Sequence, residues 1–319
     1  MSPDADVALE DFESLFHGEP QAIEQRLVAL RDRAAVHPDK ALAPRIESQI
    51  ALAQAMQKQY STALDTLDAA EKIPGAALPA AKIQLLIERG RVSHQAFNFA
   101  AALPAFIAAW EFGRTHNLDP QAVNAAHMAA IAAIDPAEKV RWNENALELA
   151  QTSPDPKASA WITVLYNNLA QSLVAAGRYP AAHEAFETCR QRAATENNSL
   201  VERGARWGIA RALRGLGQTQ TAIQIQQQLL AEYNQLEESA LLPQELINFG
   251  RGLVFEELAE LLWNDSQTFA SKALQDLGIN EWFRVTEPRR WQRLQQICSG
   301  RADQISQPAP LPRNPGDAQ

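Results

Sequence analysis

The amino-acid sequence predicts an all-α fold built from stacked helix-turn-helix repeats. Apolar residues recur at every third or fourth position, which is helical periodicity, and no stretch alternates in the manner of a half-buried strand. Alanine, the residue with the highest helix propensity, is frequent, and its small side chain lets neighbouring helices approach closely. Because the pattern recurs about every 40 residues, we expect one repeat array rather than two globular domains.

The first 43 residues are predicted to form N-terminal capping helices. An opening helix runs from Asp6 to Phe16, and a second helix begins near Pro20. The second helix has one apolar face, formed by Ile23, Leu27, Leu30 and Ala34. Pro38 and Pro44 are expected to break the chain before the repeats begin.

The repeat pattern is clearest between residues 166 and 189. Its characteristic residues are Tyr166, Leu169, Ala170, Leu173, Gly177, Ala182 and Phe186. This pattern resembles that of the tetratricopeptide repeat (TPR) family, with Ala170 where the family has glycine and Leu173 where it has tyrosine. The resemblance implies a right-handed superhelical solenoid of antiparallel helical hairpins. It also implies a concave groove, lined by the first helix of each repeat, that binds a peptide or protein segment.

Further copies of the pattern predict about six TPR-like repeats between residues 44 and 280. Ala63 and Ala102 are 39 residues apart, and Ala182 and Ala222 are 40 residues apart. These spacings exceed the about 34 residues of the commonest TPR, so the chain resembles the long-repeat bacterial type.

The two predicted segments after the repeats differ in character. Residues 281–300 are predicted to form a C-terminal capping helix, because a terminal repeat has to cover an apolar face that has no further neighbour. Residues 301–319 carry four prolines and little apolar content, which predicts a disordered tail.

Composition argues against several classes of partner. The formal net charge of -9 disfavours binding to nucleic acid and to an anionic membrane surface. No apolar run approaches the about 20 residues of a membrane span, and the acidic start lacks the features of a secretory signal. We therefore expect a cytoplasmic protein without a membrane partner.

The sequence carries no recognisable catalytic or metal-binding motif. It lacks a phosphate-binding glycine loop, a nucleophile elbow and a His-Glu-x-x-His pair, and its two cysteines are too few for a four-cysteine zinc site. We therefore expect no cofactor, no metal and no enzymatic activity.

One helix, from Val201 to Leu216, combines charge and aromatic character. Arg203, Trp207, Arg211 and Arg214 fall within an arc of about 80° on this helix. By the TPR resemblance, Trp207, Arg211 and Arg214 face the groove, and Asn167, Gln171 and Asn124 hold equivalent places in earlier repeats.

Two interpretations of these arginines remain open. Guanidinium groups bind carboxylates through paired hydrogen bonds, so the groove would suit an acidic peptide or a chain carboxyl terminus. Alternatively, the arginines pair with acidic residues of their own or the next repeat, namely Glu202, Glu256, Glu257 and Glu260. Two other kinds of residue, His127 and the tryptophans Trp110, Trp142 and Trp161, are interpreted as packing residues.

Three functions remain possible at this level. The leading hypothesis is a protein-interaction scaffold or adaptor whose concave groove accepts a peptide or protein segment of acidic character. The alternative is a regulatory protein of TPR type that senses a peptide or another ligand. An enzyme or nucleic-acid binder that uses the arginine-rich helix is a third and weaker hypothesis.

Overall fold

The computed structural model of the chain describes residues 9–300. These residues contain helices and turns and no strand, which confirms the all-α prediction. The expected disordered tail, 301–319, and the first three residues of the predicted opening helix lie outside the described residues.

Six helical hairpins follow one another between Leu42 and Gly278. Their helices are α3 (Leu42–Met56), α4 (Tyr60–Ala70), α5 (Pro79–Gln95), α6 (Phe99–Thr115), α7 (Asp119–Ala132), α8 (Pro136–Thr152), α10 (Ile162–Ala175), α11 (Tyr179–Thr195), α12 (Ser199–Gly215), α13 (Thr219–Ser239), α14 (Gln244–Leu261) and α15 (Ser266–Gly278). A four-residue helix, α9 (Pro156–Ser159), precedes α10. The hairpins lie within a residue or two of the predicted span of 44–280.

The segments outside the hairpins are shorter helices. A 3-10 helix (Leu9–Leu15), α1 (Pro20–Val28) and α2 (Arg31–Val36) precede them, and α16 (Glu281–Thr286) and α17 (Pro288–Cys298) follow them. The second predicted N-terminal helix is therefore two helices, although its four apolar residues are buried as expected. Pro44 does not break the chain. It occupies the third position of α3, where a helix has no internal acceptor for the missing N–H.

Glycines pack closely against phenylalanine rings, both within one hairpin and between neighbouring hairpins. A Cβ on Gly90 of α5 would lie 2.4 Å from the ring of Phe106 on α6, and one on Gly208 of α12 would lie 2.2 Å from Phe186 on α11. Both phenylalanines are fully buried. Because glycine has no side chain, each ring packs directly against the backbone of the neighbouring helix. The repeat pattern has a small residue at these positions for this reason.

The chain divides into two compact units, one up to Leu165 and the other from Tyr166. In the first unit, α3, α5 and α7 are the first helices of successive hairpins and pack side by side. In the second unit, α17 packs on α15 and contacts α14. None of the helices within residues 9–300 has the length and apolar character needed to span a membrane.

Candidate functional site

The first unit contains a groove of about 480 Å³. It lies along α3, α5 and α7, and the N-terminal segment borders it at one side. The residues that line it are Glu13, Phe16, Arg45, Gln49, Leu52, Ala80, Gln84, Ile87, Glu88, Arg91, Pro120, Gln121, Asn124 and Trp161. We refer to this cavity as the polar groove.

Helical spacing explains why these residues share one surface. Arg45, Gln49 and Leu52 follow one another at four and three positions on α3, which places them on one helix face. Gln84, Glu88 and Arg91 repeat the same spacing on α5, and Gln121 and Asn124 are three positions apart on α7. Adjacent first helices therefore contribute adjacent polar rows.

Hydrogen bonds connect the polar rows across the helices. Arg45 Nε donates to Gln84 Oε1 at 2.8 Å, and Gln49 Nε2 donates to Glu88 Oε1 at 3.0 Å, both between α3 and α5. Arg91 Nη2 donates to Asn124 Oδ1 on α7 at 3.3 Å. The structure thus places the predicted residue Asn124 in the polar groove of the first unit.

The N-terminal segment adds a charged and an aromatic contact to this groove. Glu13 Oε1 accepts a hydrogen bond from Arg45 Nη2 at 2.8 Å, and the Arg45 guanidinium lies 5.0 Å from the centre of the Phe12 ring. Phe12 is fully buried against α3. The segment is therefore fixed in place beside the groove by packing as well as by charge.

Glu88 is the most deeply buried charged residue of the groove, with only 2% of its surface exposed. Its Oε1 accepts from Gln49 and from Arg91 Nη1, each at 3.0 Å. Within residues 9–300 its other oxygen, Oε2, has no hydrogen-bond partner. Burial raises the pKa of Glu88, while Arg91 and Gln49 act in the opposite direction.

A second cavity, of about 320 Å³, adjoins the polar groove and has mixed walls, in which Leu52, Met56 and Met128 supply the apolar part. It is lined by Leu52, Met56, Arg91, His94, Gln95 and Met128, and it shares Leu52 and Arg91 with the polar groove. Apart from Met1, the sequence has no other methionine than Met56 and Met128. Flexible thioether side chains adapt to bound groups of different shape. We refer to this cavity as the methionine subsite.

His127 and Trp161 contact one another at 5.4 Å between ring centres. Burial, with a contribution from the charge of Arg91, lowers the pKa of His127 to about 4. A neutral imidazole in a packed position agrees with the interpretation from sequence. Trp161 also lines the polar groove, a role that the interpretation as a packing residue did not include.

The other six predicted residues, Asn167, Gln171, Arg203, Trp207, Arg211 and Arg214, lie in the second unit. Arg211 Nε and Arg214 Nε lie 3.0 and 2.9 Å from the oxygens of Glu257 on α14. Arg211 also donates to Gln171 Oε1 at 3.1 Å, whereas the Asn167 amide makes a 3.4 Å contact with Asn168. Two of the predicted arginines therefore have a carboxylate partner within their own unit.

The pKa of Glu257 shows how strongly this pairing acts. Burial would raise the pKa of this carboxyl, which is 2% exposed, but Arg214 and Arg211 outweigh burial and lower it. Two guanidinium groups thus hold one buried carboxylate in its ionised form.

The C-terminal helix α17 extends this cluster with two further pairs. Arg290 Nε donates to Glu256 Oε1 at 2.7 Å, and Arg293 Nε donates to Glu260 Oε1 at 3.0 Å. Glu256, Glu257 and Glu260 all belong to α14. We refer to these pairs, together with Arg211 and Arg214, as the arginine clasp.

Arg203 and Trp207 do not line an open groove. Both are buried, with 9% and 7% of their surfaces exposed, because α13 and α14 pack over this part of α12. The Arg203 guanidinium lies 5.9 Å from the centre of the Tyr233 ring, and Trp207 Nε1 donates to the backbone oxygen of Leu253 at 3.0 Å. The polar arc read from the sequence thus includes two packing residues.

Reasoning from sequence missed Gln49, Glu88 and Arg91. The repeat spacing of 39 residues carries the signal for one pair, since Gln49 and Glu88 are 39 positions apart. A search for polar residues at the same position of successive first helices would have found it.

Within residues 9–300, no group of three or more His, Cys, Asp or Glu side chains is arranged to hold a metal ion. Neither cysteine forms a disulfide bond within the described residues. Burial raises the pKa of Cys189 to about 11, so its thiol is protonated and unreactive at neutral pH.

Comparison with known proteins identifies the fold. A signal transduction ATPase with numerous domains (STAND) that has a tetratricopeptide repeat sensor, from Pyrococcus horikoshii, is similar with a TM-score of 0.62 and 14% identity. The similarity covers 86% of this chain and 42% of that protein, so the chain spans less than half of its length. No protein-family model matches the sequence, and no curated protein is significantly similar to it.

Two further solved structures match over nearly the whole chain. NprR, in complex with its cognate peptide NprX, has a TM-score of 0.56 and 15% identity, with 95% of this chain and 86% of NprR covered. A Rap protein, complexed with Competence and Sporulation Factor, has a TM-score of 0.52 and 14% identity, with 95% and 90% covered. These similarities confirm a TPR-type helical repeat fold.

Proposed function

We propose that this chain is a peptide-binding regulatory protein of TPR type, and that the polar groove and the methionine subsite of the first unit bind the peptide. The observation that carries the proposal is the groove itself, an open volume of about 480 Å³ between three first helices, with polar side chains from each. The similar structures support it, because NprR was solved with its cognate peptide and the STAND protein has a repeat domain described as a sensor. On this proposal the chain acts by binding rather than by catalysis.

The groove matches the chemistry of an extended peptide. Amide side chains both donate and accept hydrogen bonds, so Gln84, Gln121 and Asn124 suit the N–H and C=O groups of a backbone. The methionine subsite offers an apolar surface for a large side chain beside them. Three helix axes about 8–10 Å apart cover about 16–20 Å, which is the length of about five or six extended residues.

The arginine clasp is a weaker candidate for the binding site. An acidic peptide at Arg211 and Arg214 would have to compete with Glu257, which both guanidinium groups already contact. Displacing one member of a buried ion pair leaves the other charge buried without a partner, which is energetically costly. We therefore assign the clasp a structural role in the second unit, and we do not extend the acidic ligand of the adaptor hypothesis to the proposed site.

Peptide binding is also expected to be a cytoplasmic activity. Two cysteines outside disulfides, one of them buried, are typical of a reducing compartment.

The adaptor hypothesis differs from the sensor hypothesis in its partner: an adaptor would bind a segment of a folded protein, and a sensor would bind a free peptide.

The test is binding of a library of fluorescent octapeptides, measured by fluorescence anisotropy. We expect a subset to bind the wild type, and the double variant Gln84→Ala, Asn124→Ala to lose at least tenfold in affinity, at about 1 kcal/mol per hydrogen bond. The variant Gln191→Ala is a control, since Gln191 is exposed on α11 in the second unit. Absence of any bound peptide, or equal binding by the double variant, would contradict the proposal.

A further inference from the structure

The hydrogen bonds of the polar groove leave one group without a partner. Arg45 donates to Glu13 and Gln84, and Arg91 donates to Glu88 and Asn124, so both guanidinium groups are engaged. By contrast, Oε2 of Glu88 accepts no hydrogen bond from residues 9–300.

A buried carboxylate with an unused oxygen is energetically costly. Leaving a buried acceptor unsatisfied costs about 1–3 kcal/mol, and more when the group is charged. Rotation about the last side-chain torsion exchanges the two oxygens, so the unmet acceptor belongs to the carboxylate as a whole. Glu88 lines the polar groove, although Oε2 itself is enclosed in the structure, so a bound molecule supplies the missing donor once the carboxylate turns an oxygen toward the groove.

The charges around Glu88 favour a donor over an acceptor. Two arginines, Arg45 and Arg91, and two glutamates, Glu13 and Glu88, line the groove, so its formal charges cancel. The groups that face it from α7 are the uncharged Gln121 and Asn124. Both guanidinium groups already donate to carboxylates, Arg45 to Glu13 and Arg91 to Glu88, so an anionic group would have to share them. A cationic donor would meet a carboxylate oxygen that has no hydrogen-bond partner within residues 9–300. Hydrogen bonds between charged groups are about twice as strong as neutral ones.

We propose that Glu88 selects peptides that carry a positively charged nitrogen, and that this nitrogen donates a hydrogen bond to its free carboxylate oxygen. The inference rests on the proposed peptide-binding function and names the ligand class for that groove. The nitrogen belongs either to a basic side chain or to the peptide amino terminus, which share the same chemistry.

The experiment uses the full chain and peptides that bind the wild type in the fluorescent octapeptide library. Each peptide is remade with its basic residue replaced by norleucine or glutamate, and with its amino terminus free or acetylated. We expect replacement of the contacting nitrogen to weaken binding about tenfold. If replacement by norleucine weakens binding, the contacting nitrogen belongs to a basic side chain. If acetylation weakens binding, it belongs to the amino terminus.

The variant Glu88→Gln keeps the shape of the side chain and removes its charge. We expect it to reduce the preference for the basic peptide to within about twofold. Glu24→Gln is the matched control, because Glu24 is a part-buried carboxylate of the same unit that accepts from Gln54 at 2.9 Å and does not line the groove. The control should retain the full preference.

Affinity as a function of pH tests the inference without a variant and so does not depend on the folding of Glu88→Gln. As the pH falls through the raised pKa of Glu88, this carboxyl becomes neutral, and the basic peptide should bind more weakly while its norleucine version changes less.

The outcomes separate the two proposals. If peptides bind but basic ones are not preferred, or if Glu88→Gln keeps the preference, the assignment to Glu88 is wrong and the groove still binds peptides. If no peptide binds the wild type, both proposals are wrong.

Discussion

The two units use the arginines of their first helices in different ways. In the first unit, Arg45 and Arg91 lie beside open volume, and the carboxylate of Glu88 keeps an unused oxygen. In the second unit, Arg211 and Arg214 share the carboxylate of Glu257, and helix α17 adds two more ion pairs to α14. On our proposal, the arginines of the first unit belong to a binding site because their counter-charges leave room for a ligand, whereas those of the second unit are taken up by the carboxylates of α14.

The largest effect is expected at Glu257. The substitution Glu257→Gln leaves Arg211 and Arg214 with no carboxylate between them, and breaking a buried pair on one side costs about 3–5 kcal/mol. Urea denaturation measures the loss. Glu138→Gln is the control, because its pair with Arg141 is more exposed and is worth about 0–1 kcal/mol. Similar losses in the two variants would contradict a buried clasp.

The two units differ in their polar surfaces, but we expect the same glycine–phenylalanine packing to stabilise both. Gly90→Ala in the first unit and Gly208→Ala in the second force a methyl group against Phe106 and Phe186, at a cost of about 1–3 kcal/mol each. Gly204→Ala is the matched control on α12, because no atom lies within 4 Å of its added Cβ. Alanine is the better helix former, so this variant should gain about 0.5–1 kcal/mol. Thermal denaturation distinguishes the three; a stable Gly90→Ala would show that the ring contact is loose.

Asn124 and Asn167 occupy comparable places in the sequence pattern, but the structure predicts different consequences for their loss. Asn124→Ala removes a groove amide and should weaken binding of a library peptide by about 0.5–1.5 kcal/mol. Asn167→Ala, in the second unit, should leave peptide affinity within twofold of the wild type. Anisotropy titrations of both variants provide the comparison. A larger loss for Asn167→Ala would move the site to the second unit.

The smallest effects concern pH, and the two buried glutamates should respond in opposite directions. Glu257 has a lowered pKa, so it stabilises the fold above the ordinary value of 4.5, and this contribution disappears as the pH falls through the lowered pKa. Glu88 has a raised pKa, so it costs stability as the pH rises from 4.5 through the raised value.

Melting temperatures of the wild type and the two glutamine variants, followed across pH, test these opposite signs. The advantage of the wild type over Glu257→Gln should shrink in acid. Relative to the wild type, Glu88→Gln should gain as the pH rises above 4.5. The same sign for both glutamates would mean that Glu88 is ionised as readily as Glu257.

The sequence predicted the helical hairpins well because their signals are local. Apolar spacing and turn residues predicted about six repeats between residues 44 and 280, and the described helices between Leu42 and Gly278 follow one another as pairs. The side chain of Asn198 caps α12 by accepting from the N–H of Val201 at 3.1 Å, and α12 accordingly begins at Ser199, two residues before the predicted start. An error of two residues in a helix boundary arises from the capping and turn residues and does not change the predicted fold.

The site was harder to predict because it depends on contacts between distant residues. The sequence named Glu256, Glu257 and Glu260 as partners for the arginines, and the structure pairs Glu257 with Arg211 and Arg214. The sequence assigned the C-terminal helix only the role of covering an apolar face, and it did not indicate that Arg290 and Arg293 of α17 would pair with the other two glutamates. Helical spacing gave the arc that contains Arg203 and Trp207 but not the helices that cover it.

The methionine subsite has a consequence for spectroscopy. Because Met56 and Met128 are the chain's internal methionines and both line the subsite, labelling methionine methyl groups with carbon-13 places two reporters at the groove. A methyl spectrum would therefore be nearly silent about the remaining helices and would respond to events in the groove. The chain carries an intrinsic set of probes, and titration of any molecule against it requires no engineered label.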